Sequence, residues 1–144
     1  MAWTASKVFV ALFHDWAENT TEVDLLADTC KAALFTDAIT PNAEVSSANS
    51  AYGAGVWAAN EVTDATGWPA GGVAITTPLS TVTTNVYTFD GDDTPSADAH
   101  TTLADVYGCL VYDGTIAAPV ADQGVCFNYF GGVNSVTAGT FAQR

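Results

Sequence analysis

Apolar residues in this chain fall in short runs separated by Gly, Pro, Asp and Asn, and the runs set the expected elements. Two of them dominate: Val106-Tyr-Gly-Cys-Leu-Val-Tyr112 and Gly124-Val-Cys-Phe-Asn-Tyr-Phe130. Both are rich in β-branched and aromatic residues, and a polar connection separates them, as in paired strands. Leu25 to Phe35 reads as a turn at Asp28-Thr29 leading into a strand. Val73 to Thr77 reads as a strand stopped by Pro78, and Thr83 to Phe89 alternates as the next. A last strand is expected over 136–142, after the break at Gly131-Gly132. Residues 6–16 fit two readings. Val8, Leu12 and Trp16 follow helical spacing, whereas the aromatic and β-branched content favours a strand.

The stretches between these runs are turns and loops. Thr36 to Ser50, with Pro41 and Asn42, reads as a loop, and Ala58 to Val62 as one turn. Gly67 to Gly72 and Asp90 to Pro95 read as tight turns. Short strands every ten to twenty residues predict a mainly β, single-domain antiparallel β-sandwich or barrel-like fold with long loops and little helix. Residues 1–144 form one domain, with 1–6 as an extended N-terminal arm. A terminal strand needs a partner to stay ordered. Either Met1–Lys7 or the C-terminal segment is therefore expected to pair with another chain.

Composition narrows the function classes. Hydrophobic residues make up 49% of the 144, enough for a core, while only 13% are charged. Sixteen acids face three bases, net −13. Such a chain is not expected to neutralise nucleic-acid phosphates or to sit on an anionic membrane. No apolar run reaches the length of a bilayer span, and Val8–Phe13 lacks the flanks of a signal peptide, so synthesis in a cytoplasm is expected. Cys30, Cys109 and Cys126 form no CxxC pair and read as small buried hydrophobes, with Cys109 and Cys126 on facing strands.

Catalytic equipment is sparse, and neither an activity nor a cofactor is expected. His14 and His100 lack a nucleophile elbow beside them. Glu61 and Asp64, near Trp57 and Trp68, are the one local cluster that resembles a glycosidase pair or a carbohydrate-binding face. Asp90-Gly-Asp-Asp93 fails the EF-hand pattern at Thr94 and Pro95, leaving a looser cation site of Asp90, Asp92, Asp93 and Asp98 as a lesser alternative to a solvated turn. The aromatic residues carry more weight. Trp3, Trp57, Trp68, Tyr129 and Phe130 are the candidate interface residues, set against ordinary core filling. Trp16 belongs to the same group of large rings.

The order of motifs resembles a family of small tailed-phage virion structural proteins. The matching elements are Asp28-Thr-Cys-Lys-Ala-Ala-Leu34, Tyr52-Gly-Ala-Gly55, Trp68-Pro-Ala-Gly-Gly72, Tyr87-Thr-Phe-Asp90, Tyr107-Gly-Cys-Leu-Val-Tyr-Asp113, Pro119-Val120 and Gly139-Thr-Phe141. They cover roughly residues 20 to 142 in order. Members of that family continue past the Gly-Thr-Phe segment through a tryptophan-bearing strand, whereas this chain ends at Arg144. The resemblance implies a non-enzymatic virion component, assembled in many copies in the host cytoplasm. It implies a capsid decoration or cement protein, with the major capsid protein and copies of itself as partners. A minor tail protein is the alternative, and a carbohydrate-binding β-sandwich module, taking a surface carbohydrate, is a second.

Overall fold

The computed structural model describes residues 3–143. In chain order the elements are β1 (Lys7–Val8), α1 (Val10–Ala17), β2 (Cys30–Phe35), α2 (Ser47–Ser50), a 3-10 turn (Gly55–Ala58), β3 (Glu61–Val62) and β4 (Val73–Ala74). They continue with β5 (Leu79–Thr83), β6 (Val86–Asp90), β7 (Thr94–Pro95), β8 (Thr101–Asp113), β9 (Gly124–Gly139) and β10 (Ala142–Gln143). Strand accounts for 40% and helix for 11%, in antiparallel sheets of a β-sandwich-like single domain. The main sheet has six strands in the order β1-β9-β8-β2-β3, with β4 also on β2. The pairs β10-β7 and β5-β6 make two small sheets.

Why β2 is apolar along nearly its whole length follows from its place. It lies inside the sheet, and alternate side chains enter two different cores. Ala33 and Phe35 join Leu110, Tyr112 and Phe127 on one face. Cys30, Ala32 and Leu34 join Cys109 and Val111 on the other. A strand covered on both faces has no polar side to show, so its sequence loses the period of two. The two expected tyrosine-rich strands pair as β8 and β9, with Gly108 opposite Tyr129 and Leu110 opposite Phe127.

The first core is closed by the N-terminal segment. Trp3 is fully buried and donates its indole N–H to the Thr36 carbonyl at 2.9 Å. It meets Trp57 edge-on at 5.9 Å and stacks on Tyr129 at 6.5 Å. Gly108 lies beneath it. A Cβ there would approach the Trp3 ring to 2.6 Å and the Asn128 carbonyl to 2.4 Å, so only glycine leaves room. The second core is closed by Trp68, whose indole N–H reaches the Ala32 carbonyl at 3.1 Å, and by Phe141 edge-on to it.

Several expectations are corrected. The N-terminal arm is no arm over residues 3–6: Trp3 is in the core, and Ser6 Oγ accepts the Tyr129 amide. Lys7 and Val8 pair with Phe127 and Cys126 of the same chain, and Ala142 and Gln143 pair with Pro95 and Thr94. Met1, Ala2 and Arg144 lie outside the described residues. Residues 10–17 are helical, because Leu12 and Asp15 both turn inward. Glu61–Val62 is a strand, not a turn, since it finds the edge of β2. The strand expected over 83–89 is present from Val86 as β6, but Thr83 ends β5, and Thr84 and Asn85, at φ 54° and 64°, form the two-residue loop of a hairpin. β9 runs through Gly131-Gly132 without stopping.

All three cysteines are free; Cys30 and Cys109 are buried, Cys126 half-buried. Burial pushes the thiols of Cys30 and Cys126 up to about 12, so they remain protonated small hydrophobes.

One buried acid stands at the end of β8. Asp113 is 0% exposed; its Oδ1 accepts the Thr115 amide at 2.9 Å, while Oδ2 has no donor. Burial, reinforced by the neighbouring carboxyl of Asp28, raises its pKa to about 6. A raised folded-state value means that its stabilising contribution is complete below the unfolded carboxyl range and is lost as pH rises through about 6. Asp113→Asn copies the protonated form. Urea unfolding at pH 7.5 is expected to find the variant more stable by about 1–2 kcal/mol. The gain should vanish near pH 4; an equal gain at both pH values would contradict this account.

Candidate interaction surface

Helix α1 presents a group of exposed apolar side chains. Its buried side is formed by Leu12 and Asp15. At 100° per residue, Val10 and Phe13 project from the opposite side, and Trp16, one turn beyond Leu12, projects from the flank. They are 57%, 51% and 66% exposed, and Val8 precedes them at 45%. An eight-residue helix is too short to persist alone in water, so the surface depends on what fixes the helix.

Both ends are held by the backbone. Phe9 donates its amide to Val125 and Val10 to Ala43, at 3.1 and 3.0 Å. At the C-terminal end Asn19 adopts φ 56°, its amide reaching the Trp16 carbonyl, while Thr20 donates to the Asp15 carbonyl at 2.8 Å. This is a Schellman cap, with asparagine at the left-handed position that glycine usually fills.

The underside is held by a polar network inside the fold. Asp15 Oδ2 accepts from Gln123 Nε2 at 2.7 Å and from the Ser47 hydroxyl. Gln123 is fully buried, and its Oε1 accepts from Thr21 Oγ1 at 3.3 Å. One carboxylate thus ties α1 to α2, to the start of β9 and to the segment after the helix. Burial alone would raise the Asp15 pKa, but the hydrogen bonds from Ser47, Gln123 and His14 outweigh it and leave it lowered. The Asp15 contribution is therefore present above the ordinary carboxylate range and is lost as pH falls through the lowered value.

His14 approaches the other Asp15 oxygen at 3.5 Å and Glu18 at 3.4 Å. Ser47 bonds the carboxylate and not the imidazole, so these three groups lack the serine-to-histidine step of a catalytic triad.

The other candidate residues fall elsewhere. Trp57 and Trp68 lie in the two different cores, at 2% and 0% exposure, so they make no common face for a sugar. With Trp3 they leave the list of interface residues: their rings are spent on packing. Tyr129 and Phe130 are half-buried, against Trp3 and Phe141 respectively. Glu61 accepts the Tyr52 hydroxyl and the Gly71 amide, each at 2.8 Å. Asp64 accepts the amides of Thr66, Gly67 and Thr102, which hold it well below the usual carboxylate range. Both acids work as loop fasteners. His100 stands in solvent beside Asp98, at 3.3 Å. Asp90 and Asp92 border a cavity of about 120 Å³ with Phe89, Asn128 and Gln143. Among the described residues no three His, Cys, Asp or Glu side chains converge as a metal site requires, so the looser cation site at Asp90, Asp92, Asp93 and Asp98 is not assembled. No helix among them is long and apolar enough to cross a membrane.

Val10 and Phe13 were not among the sequence candidates. The sequence offers for them only the i, i+3 spacing from Val10 through Phe13 to Trp16.

Asp15→Ala should cost about 2–3 kcal/mol in urea unfolding at neutral pH, since it leaves Gln123 and Ser47 without their charged acceptor. Gln123→Ala should cost less, because Asp15 keeps Ser47.

No protein-family model, curated protein or solved structure matches the chain.

Proposed function

We propose that this protein is a non-enzymatic virion component that decorates a phage head shell, docking on the major capsid protein through helix α1. The observation that carries this reading is the outward row of Val10, Phe13 and Trp16 on a helix held rigidly from beneath. Large aromatic side chains presented on a preorganised element are the usual anchors of a protein interface. Contiguous exposed apolar groups rarely occur without a partner. The resemblance of the motif order to small tailed-phage structural proteins supports the head shell as that partner. The surplus of sixteen acids over three bases suits a basic rim around the docking site and a position away from packaged DNA. Assembly takes place in the host cytoplasm.

Co-sedimentation with empty head shells tests this. The wild-type chain should pellet with shells and not with isolated tails. Phe13→Ser and Trp16→Ser should each weaken binding by about 2 kcal/mol, roughly 30-fold. Both side chains are exposed, so melting temperatures should barely change. Failure of the wild-type chain to pellet with shells overturns the reading, as does undiminished binding by both variants. Pelleting with tails alone favours a minor tail protein instead.

A further inference from the structure

A second surface lies on the hairpin of β5 and β6. These strands form a sheet of their own, and no other strand runs beside them among the described residues. An isolated two-stranded sheet is marginal in water, and three or more strands are ordinarily needed. The hairpin is also the least charged part of an acidic chain: no charged side chain stands between Asp64 and Asp90. Apart from Phe89, which packs on the second core, its apolar groups are open to solvent. Val82 and Tyr87, opposite each other, are 73% and 54% exposed; Leu79 and Val86, on the other face, are 56% and 59%. Natural sheet edges are commonly guarded by lysine, proline or a bulge. Inside β5 there is none, and Pro78 stands only at its base.

The loop fixes which backbone groups are free. A two-residue loop at Thr84-Asn85 makes Thr83 and Val86 the first hydrogen-bonded pair. Thr81 with Thr88 and Leu79 with Asp90 follow as the next such pairs. Ser80 and Val82 alternate with them, so their N–H and C=O groups point away from β6.

We propose that β5 is a self-association edge, along which a second copy of this chain lays its own β5 antiparallel. A two-fold axis through Thr81 sets Ser80 opposite Val82 of the second copy, and Val82 opposite its Ser80. The outward amides and carbonyls then meet as hydrogen-bonded pairs, and two hairpins become one four-stranded sheet. The occupant is a copy and not an unrelated strand because the sequence Leu-Ser-Thr-Val-Thr meets itself without a charge or a bulky clash. The interface is isologous and closes at two chains. At net −13 apiece, two copies repel over most of their surface, and the charge-free hairpin is where that repulsion is least. The proposal is independent of what α1 binds.

Sedimentation equilibrium of the full chain, at physiological salt and up to high micromolar concentration, decides it. The wild-type chain is expected to reach twice the monomer mass. Val82→Pro removes an outward N–H and leaves the bonds to β6 intact, so it should remain a monomer with an unchanged circular dichroism spectrum. Val82→Lys, an exposed change that leaves the backbone as it is, should shift the dimer constant at least tenfold towards monomer. Salt should strengthen the wild-type dimer by screening. A wild-type chain that stays monomeric overturns the proposal. So does any oligomer that both variants form as readily as the wild type.

Discussion

Strand β2 and the second half of β8, from Val106 to Asp113, have water on neither face, and the rest of the structure answers to that constraint. Two cores, one on each side of a single sheet, need two covers. A second complete sheet supplies neither. One face is closed by Trp3, Phe9 and Trp57, the other by Trp68, Phe89 and Phe141, all from loops, short strands or termini. Loops carry unpaired backbone groups, and these need local acceptors. The acids meet that need. Asp24 accepts the amides of Leu26 and Ala27, Asp64 those of Thr66 and Gly67, and Asp98 that of His100. Much of the acidity is therefore structural fastening as well as surface charge.

This division explains which parts of the fold can be read from sequence. The runs at 106–112 and 124–130 are legible because composition and pairing agree. β2 is legible as a strand, though not as an interior one, since a continuous apolar run fits a buried helix as well. The hairpin tip is hidden for a local reason: Thr84-Asn85 has no glycine, and threonine rarely takes a positive φ. Gly131-Gly132 misleads in the opposite direction, a break by composition that β9 crosses through a register shift, with Gly131 at φ 81° between the paired Tyr129 and Asn134. The fate of the termini is set wholly by distant partners, Phe127 for Lys7 and Thr94 for Gln143, so nothing nearby announces it.

The aromatic residues show the same limit at the site. Large rings suggested an interface, but Trp3, Trp57 and Trp68 are buried in the two cores. Trp3, which packs over Gly108, is the clearest example. Trp16 looks similar in sequence and lies in solvent. What separates the two is Asp15, which draws its own side of α1 inward, and its partners Ser47 and Gln123 are far along the chain. A buried acid with remote donors leaves no periodic trace.

The placement of Trp3 has a consequence for biosynthesis. Lys7 finds its strand partner only at Phe127, and Trp3 rests on Tyr129. Residues 3–8 thus wait for residues 127–129 to be made before their core can close. High contact order of this kind slows folding. Until then, the nascent chain holds several uncovered tryptophans, which makes chaperone shelter a natural companion of its synthesis.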